Sequence, residues 1–440
     1  MRLYNRFLLF FLRVADILLR TDFVKTIGNW KKWSDSTKES VNQIQEHRLT
    51  LLLKYATQKV PFYQHPRNSS LKDFPVMTKN IIALNLEELI SGDYRKADLI
   101  EEKSSGSSGV QGSVFMTRRE SLDAIANQSF LWSLSGYQFG DNLLQLGMSP
   151  DRGIVKRLKD ILFRTDYQLA FNLDEQKVLS VLKKYRGNKS AIFFGGYASG
   201  LYEYARIAMK HNIRDIEFKS VISWGDKMFD HYRTLIEEIF NTNVYDTYGC
   251  TEGFMIAGQC QHFNCHILTP HVYIELLDAN GKEVPYGEMG QVVVTRLDAR
   301  AMPLIRYYLG DLAIKENPSK ECSCGLPYPM LRKIVGRDTD VVKTPLGKSL
   351  IIHFFTGIFE HISEIRQFRV LQDSVHKFSI EIISDLEGEF LDILLDEIHK
   401  RLELKAEEKL QIFFKQVREI PTTNSGKPQI IVSTLPNEFR

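Results

Sequence analysis

The middle of the chain alternates short apolar runs with segments of helical character, and this alternation restricts the fold more than any other feature. The apolar run at 191–196 precedes a helical stretch at 201–209. The run at 220–225 precedes a second helical stretch at 229–240, and another apolar segment follows. Strand–helix–strand repetition of this kind joins parallel strands through crossover helices. The pattern therefore predicts an α/β core.

The segments on either side of this core predict further parts. A helix is expected over residues 40–60. From Val272 the pattern of strand, turn-rich loop and strand predicts an antiparallel β portion. After Gly336 the expected elements are a helix at 351–365, strands at 366–372 and 377–383, a helix at 387–402 and a strand at 411–417. This order is typical of a small ferredoxin-like α+β domain. The predicted division is an amphipathic helical segment at 1–40, a main domain at 41–336 and a small domain at 337–440.

Composition excludes several classes of protein. Of the 440 residues, 43% are hydrophobic and 25% are charged, as in ordinary globular enzymes. The 57 basic residues nearly balance the 54 acidic ones, so the chain lacks the charge excess of a protein that binds nucleic acid through its phosphates. Five cysteines are too few for a disulfide scaffold, which predicts a reducing, cytoplasmic compartment. Because no apolar run reaches about 18 residues, no bilayer span is expected.

The N-terminal segment has two interpretations. Phe7, Phe10, Phe11, Val14 and Leu18 recur at helical spacing, with arginines between them. The favoured interpretation is a helix docked on the protein body. The alternative is a basic amphipathic helix that lies on an anionic membrane, at its inner face.

Five short segments carry residue types suited to nucleotide chemistry. Small residues let backbone N–H groups approach a phosphate, an aromatic ring can stack on a base, and carboxylates bind Mg²⁺ or ribose hydroxyls. A lysine in a polar loop can neutralise a developing anion. In chain order these segments are SSGSSG (104–109), YDTYGCTEG (245–253), RYYLGDL (306–312), GRDTD (336–340) and PTTNSGKP (421–428).

Each segment taken alone also has a simpler interpretation. A Ser/Gly run is a common flexible connector, and an aspartate after glycine is a common turn. Thr251 could be the N-cap of a helix, with Glu252 favouring the helix dipole. Lys427 could be an exposed turn lysine.

Taken in order, the five segments resemble the motif series of the adenylate-forming ligases. The closer resemblance is to the phenylacetate–CoA ligase branch and its CapK-type relatives, supported by KYATQKVPFYQHP (54–66), DFPVMTKNII (73–82) and PLIRYYLGD (303–311). The resemblance spans the chain from about residue 45 to the C-terminus. It implies a large N-terminal domain and a small mobile C-terminal lid.

The resemblance also implies a role for each matching residue. Thr251 and Glu252 would serve the α-phosphate and Mg²⁺, and Lys427 would reach the carboxylate and α-phosphate during adenylation. Asp311 would bind the ribose hydroxyls, with Arg337 nearby. Tyr248, followed by Gly249, would lie against adenine. The β- and γ-phosphates of ATP would be held by Ser105, Gly106, Ser107, Ser108 and Gly109.

The activity implied is AMP-forming activation of a carboxylic acid, followed by acyl transfer to coenzyme A or to an amine or hydroxyl of a surface polysaccharide precursor. The acid pocket is expected among residues 193–248, where Phe194, Tyr197 and Trp224 could line it or pack in the core. The alternative function is a nucleotide-binding scaffold without catalysis. It is disfavoured by the joint retention of Glu252, Asp311, Arg337 and Lys427.

Four of the cysteines form two close pairs. Cys260 and Cys265 stand in one segment, and Cys322 and Cys324 stand in another. Four converging thiolates bind zinc tetrahedrally and leave no open position, which predicts a structural zinc site. His262 or His266 could replace one thiolate. The alternative is four reduced loop cysteines.

Overall fold

The structure is a computed structural model that describes residues 3–64, 70–103, 113–148, 153–171, 173–187, 192–250, 252–337, 341–359, 362, 364–421 and 430–435. Its helices are α1 (Leu3–Leu19), α2 (Phe23–Ser34), α3 (Lys38–Lys59), α4 (Lys79–Leu84), α5 (Arg118–Ser133), α6 (Ile154–Leu162), α7 (Glu175–Tyr185), α8 (Ala198–Lys210), α9 (Asp230–Phe240), α10 (Ile352–Phe359) and α11 (Glu389–Ala406).

The strands up to the middle of the chain are β1 (Ile100–Lys103), β2 (Ser113–Met116), β3 (Leu143–Gly147), β4 (Thr165–Leu169), β5 (Phe193–Tyr197), β6 (Ser220–Trp224), β7 (Val244–Cys250), β8 (Phe254–Gln259) and β9 (Cys265–Ile267). Those that follow are β10 (Val272–Leu277), β11 (Met289–Arg296), β12 (Tyr307–Lys315), β13 (Met330–Arg337), β14 (Val341–Lys343), β15 (Ser349–Ile351), β16 (Ile365–Ser374), β17 (Lys377–Ser384), β18 (Gln411–Gln416) and β19 (Ile431–Ser433).

The chain divides into two compact units. The first unit comprises Met1–Glu275, Val293–Leu309 and Lys315–Arg332. The second unit comprises Leu276–Val292, Gly310–Ile314 and Lys333–Arg440.

The main sheet confirms the predicted α/β class. Its strand order is β10-β11-β12-β13-β9-β8-β7-β6-β5-β3-β4. The strands from β7 to β4 along this order run parallel. Strand β8 pairs antiparallel with β7 and with β9, and β9 pairs antiparallel with β13. Antiparallel strands thus lie beside a parallel half. They include β8 and β9, which precede Val272, the residue from which this portion was expected, and β13, which follows it.

Aromatic side chains fill the core of the parallel half. Phe194 on β5 is fully buried, and its ring lies 4.7 Å from that of Phe218 and 5.7 Å from that of Phe240. Helix α8, which follows β5, begins where the Asp226 carboxylate accepts hydrogen bonds from the backbone N–H groups of Ala198 and Ser199. These contacts satisfy donors that a helix N-terminus leaves free.

The second unit contains the predicted small α+β fold. Its four-stranded sheet has the order β18-β17-β16-β19, and helix α11 joins β17 to β18. The first helix is shorter than expected: α10 ends at Phe359, and β16 begins at Ile365.

The N-terminal helix packs on the body through the face opposite to its predicted apolar stripe. Asn5 and Leu8 are buried, whereas Phe7, Phe10 and Leu18 are exposed by 60%, 62% and 77%. Helical spacing correctly predicted the helix, but the stripe is not its docking face.

A buried ion pair holds the segment before β12. The Arg306 guanidinium donates from Nε and Nη2 to the Glu275 carboxylate, both at 3.0 Å, and from Nη1 to the carbonyl of Phe74 at 3.0 Å. Both side chains are about nine-tenths buried. We expect Arg306→Ala to lower the free energy of unfolding by about 3–5 kcal/mol, because it leaves the Glu275 carboxylate buried without its cation.

Urea unfolding of the purified chain measures this effect. The matched control is Arg186→Ala, since the guanidinium of Arg186 pairs with Asp215 at 2.8 Å while both side chains are about half exposed. That variant should lose less than about 1 kcal/mol. Equal losses in the two variants would contradict a special role for the buried pair.

Candidate functional site

The turn between β7 and β8 carries the second sequence motif and is unusually tight. A Cβ atom on Gly249 would lie 2.5 Å from the carbonyl oxygen of Phe254, and Gly253 has a φ of +85°. Neither position tolerates a side chain in this conformation. Because β8 begins at Phe254, the alternative interpretation of a helix that starts after Thr251 is wrong. Thr251 itself lies outside the described residues.

This turn places Glu252 in the interior of the first unit. Its side chain is buried, and its Oε1 accepts a hydrogen bond of 2.8 Å from the hydroxyl of Tyr307 on β12. Burial, followed by the nearby Glu252 carboxylate, raises the pKa of the Cys250 thiol well above its ordinary value. This direction disfavours Cys250 as a nucleophile.

Glu252 lines a small cavity together with β2. The wall contains Val114, Phe115 and Met116, and the Glu120 and Arg296 side chains complete its polar part. Strand β2 begins at Ser113, directly after the Ser/Gly segment. Ser105, Gly106, Ser107, Ser108 and Gly109 lie outside the described residues, but the strand that follows them contributes to the same cavity as Glu252.

A buried ionic network holds Arg296 at this cavity. Its Nε donates to Asp298 Oδ1 at 2.7 Å, and its Nη2 donates to the carbonyl of Glu120 at 3.0 Å. His271 Nδ1 lies 2.6 Å from the other oxygen of Asp298. Although burial opposes it, the charges of His271 and Arg296 hold the pKa of Asp298 well below its usual range. The carboxylate therefore stays ionised and fixes the guanidinium.

The predicted ribose-binding residues lie together in the second unit. Arg337 Nε and Asp311 Oδ1 are 3.1 Å apart, with the aspartate side chain mostly buried and the arginine partly exposed. In the first unit, Tyr248 lies on β7 opposite Ala257 of β8 and is partly buried. Lys427 lies outside the described residues.

Aromatic rings cover glycines at the carboxyl ends of the parallel strands. A Cβ atom on Gly195 would lie 2.7 Å from the Trp224 ring, and one on Gly225 would lie 2.4 Å from the Tyr197 ring. Tyr197 and Trp224 are both partly exposed, whereas Phe194 belongs to the core. Ligands of parallel α/β sheets bind at the carboxyl ends of the strands, so Tyr197 and Trp224 are the two suited to line a pocket.

The structure brings three of the four predicted cysteines together with one histidine. Cys260, Cys322, Cys324 and His266 offer ligand atoms that all lie within 4.8 Å of one another. The sulfurs of Cys260 and Cys322 are 3.6 Å apart, and His266 Nε2 is 3.2 Å from the sulfur of Cys324. Tetrahedral zinc with Zn–S bonds of about 2.3 Å separates two ligand sulfurs by roughly 3.8 Å. The donor set therefore fits zinc.

The hydrogen bonds around the cluster suit a neutral imidazole ligand and also reach two of the sulfurs. His266 Nδ1 is 3.1 Å from the carbonyl of Tyr328, which assigns the proton to Nδ1 and turns Nε2 toward the sulfurs. Burial lowers the pKa of His266. The Asn264 amide donates to the sulfur of Cys322 at 3.2 Å, and the backbone N–H of His262 donates to that of Cys260 at 3.4 Å.

Cys265 is not among the four ligand atoms, and His266 stands in its place. The two residues are consecutive on strand β9, so their side chains point to opposite faces of the sheet. Burial, followed by the negative charge of Asp246, raises the pKa of the Cys265 thiol. His262 is exposed and lies outside the cluster.

The sequence did not reveal which residues hold Glu252 and surround its cavity. Tyr307 lies inside the RYYLGD segment, so its position in a motif could have indicated a role at the site. Arg296 and His271 stand in no motif, and only the tertiary contacts reveal them.

Comparisons with known proteins agree with this geometry. The 2-hydroxyisobutyryl-CoA ligase in the postadenylation state, in complex with 2-HIB-AMP, matches with a TM-score of 0.71 and 19% identity over 89% of this chain and 88% of that one. The anthranilate CoA ligase in complex with anthranoyl-AMP matches with a TM-score of 0.53 and 16% identity over 77% and 67%. The chain thus has the fold of these CoA ligases.

Sequence comparison finds relatives of two names. Residues 342–434 match the family model described as CapK C-terminal domain. Protein CapK of Staphylococcus aureus is 21% identical over 83% of this chain and 81% of its own length. The phenylacetate-coenzyme A ligase of Thermus thermophilus is 23% identical over 69% and 72%. The chain is a homologue of CapK and of the phenylacetate–CoA ligases, which confirms the predicted relationship.

Proposed function

We propose that the chain is an AMP-forming ligase that activates a carboxylic acid. The carboxylate oxygen attacks the α-phosphorus of ATP, pyrophosphate leaves with the electrons of the broken P–O bond, and an acyl-adenylate remains. The single observation that carries this proposal is the buried Glu252. Tyr307 holds it in a cavity whose other wall directly follows the Ser/Gly segment. The homology to named acyl–coenzyme A ligases supports the same chemistry.

The charge of each residue indicates its role in adenylation. Glu252 is the carboxylate suited to Mg²⁺, which would offset the charge of the triphosphate, and Thr251 would contact the α-phosphate. Lys427 would neutralise the charge that develops at the α-phosphorus. Asp311 would accept hydrogen bonds from the ribose hydroxyls, while Arg337 keeps that carboxylate oriented.

The names of the relatives support a candidate acceptor for the acyl group. The phenylacetate-coenzyme A ligases use coenzyme A by name, which favours a thiol acceptor and thioester formation with release of AMP. The resemblance to CapK-type proteins implies a second candidate, an amine or hydroxyl of a surface polysaccharide precursor. A nucleotide-binding scaffold remains the alternative to catalysis.

A hydroxamate-trapping screen tests the activity and names the acid. The purified chain is incubated with ATP, Mg²⁺ and hydroxylamine, together with aryl, fatty or amino acids in separate wells. We expect hydroxamate from an acid that fits between Tyr197 and Trp224, and aryl acids suit these rings best. If no acid gives hydroxamate while the chain still binds ATP, the scaffold interpretation replaces the ligase.

The hydrogen bond from Tyr307 to Glu252 should tune the response to Mg²⁺. Removing the hydroxyl in Tyr307→Phe frees the carboxylate to rotate, so we expect the Mg²⁺ concentration for half-maximal activity to rise about 10- to 100-fold. Titration of Mg²⁺ in a pyrophosphate-exchange assay measures it. Tyr308→Phe is the matched control, because the Tyr308 hydroxyl is buried without a hydrogen-bond partner among the described residues. An unchanged Mg²⁺ response in Tyr307→Phe would contradict the assigned role of Glu252.

We propose further that Cys260, His266, Cys322 and Cys324 bind a structural zinc ion. Four protein ligands leave no coordination position for a substrate. The ion would join the hairpin of β8 and β9 to the loop before β13, since the ligands come from both segments. Its role is therefore stability of the first unit and not chemistry.

A further inference from the structure

Two helices of the first unit turn large apolar side chains to solvent. On α1 and α6, which we call the α1/α6 face, twelve such side chains are exposed by 42% to 79%. They are Phe7, Phe10, Phe11, Val14, Ile17, Leu18 and Leu19 on α1, and Ile154, Val155, Leu158, Ile161 and Leu162 on α6.

Helix α6 is amphipathic, but its apolar face is turned toward solvent. At about 100° per residue its five apolar side chains cover an arc of roughly 120°, which a surface helix ordinarily turns toward the core. Here no side chain of α6 is buried. The polar residues Lys156, Arg157, Lys159 and Asp160 occupy the rest of the circumference. An exposed apolar arc of this kind marks a surface that contacts a partner or a membrane.

Helix α1 cannot turn its exposed arc inward, because its other face is anchored. The Asn5 amide donates to Asp141 Oδ1 at 3.1 Å. Leu8 is buried against Gly140, where a Cβ atom would lie 2.7 Å from Leu8 Cδ2. Leu9 and Leu12 pack against a small apolar cluster of the body. Six of the exposed residues of α1 cover an arc of roughly 120° on the opposite side.

The two helices are neighbours. The Tyr4 hydroxyl on α1 donates to the carbonyl of Leu162 at the end of α6, at 2.7 Å. The Arg164 guanidinium lies 5.0 Å from the centre of the Tyr4 ring. The two exposed apolar arcs therefore extend from one contact on the surface of the first unit.

This surface is positively charged. Helices α1 and α6 together carry five cations, Arg6, Arg13, Lys156, Arg157 and Lys159, against the two carboxylates of Asp16 and Asp160. The Asp16 carboxylate already accepts hydrogen bonds from Thr21 and from the backbone of Phe23 and Val24. On α1, Arg6 and Arg13 flank one edge of the apolar arc, where long side chains can reach lipid headgroups.

We propose that the α1/α6 face docks on an anionic membrane surface, with both helices lying in the interface plane. An apolar arc with a cationic border is the pattern of interfacial helices. A second copy of the chain is disfavoured as occupant, because a two-fold contact would bring the same cations together. Among the helices of the described residues, none is long and apolar enough to cross a bilayer.

Vesicle sedimentation of the full chain tests this proposal. Vesicles of phosphatidylcholine alone are compared with vesicles that also contain phosphatidylglycerol. We expect sedimentation with the anionic vesicles and loss of it at high salt. The combined substitutions Ile154→Ser, Leu158→Ser and Ile161→Ser should weaken partitioning by at least about tenfold. Arg6→Gln and Arg13→Gln should each weaken it by about fivefold.

The control variant replaces three apolar side chains of another helix that are exposed to the same extent as those replaced on α6. Phe390→Ser, Ile393→Ser and Leu404→Ser lie on α11 and should leave sedimentation unchanged. Equal losses in both triple variants, or no sedimentation with anionic vesicles, would overturn the proposal. A chain that is dimeric in solution and becomes monomeric in the α6 variant would instead identify the face as a self-association surface. Hydroxamate formation is measured in parallel, so failure of docking and failure of catalysis remain distinguishable.

Discussion

Replacing Lys427 with alanine should lower carboxylate-dependent ATP–pyrophosphate exchange by about 10²- to 10³-fold. In adenylation a carboxylate must approach an already anionic triphosphate, and the charge of the pentacoordinate α-phosphorus grows as the bond forms. A lysine placed at that point stabilises the transition state more than the ground state, so its loss lowers the rate. The role of Lys427 is assigned from the TTNSGK segment. This segment is the last of the five motifs, whose order resembles that of the adenylate-forming ligases.

The control for this variant is Lys415→Ala. Lys415 is an exposed lysine of β18, and its removal changes the net charge of the second unit by the same amount. Exchange in Lys415→Ala should match the unsubstituted chain. Near-normal exchange in Lys427→Ala would remove this lysine from the mechanism, even if the chain proves to be a ligase.

Replacing Cys260 with serine should remove the zinc ion and destabilise the first unit. The serine hydroxyl does not ionise to a soft thiolate ligand, so zinc content should fall from about one per chain to well under one. Because Cys260 is buried and the remaining ligands lose their ion, we expect the free energy of unfolding to fall by about 3–5 kcal/mol. Elemental analysis and urea unfolding measure the two effects.

Cys265→Ser is the matched control, since it makes the same chemical change five residues along the chain. It should retain zinc, because the Cys265 thiol is not among the clustered ligand atoms. A chelator should lower the unfolding midpoint of the unsubstituted chain and of Cys265→Ser, with little further effect on Cys260→Ser. Zinc loss in Cys265→Ser with retention in His266→Ala would restore the four-cysteine site that the sequence predicts.

Much of the fold was predictable because its signals are local. Helix α11 and strands β16, β17 and β18 fall close to the expected positions, since periodicity and turn residues are read within a few neighbours. The end of α10 was missed: the predicted helix extended to Ile365, which is the first residue of strand β16. The motif around Glu252 was recognisable, whereas its place between β7 and β8 depends on strand pairing that no local signal encodes.

The sequence by itself determined the α/β class, the order of the nucleotide motifs and the existence of an amphipathic N-terminal helix. Only the tertiary structure decided which faces are buried and which ligands converge. Consecutive residues of a strand point to opposite sides, so the choice of His266 over Cys265 depends on how β9 pairs with its neighbours. Likewise, α1 has two apolar faces, and contacts with Asp141 and Gly140, distant in sequence, bury one of them and leave the other exposed.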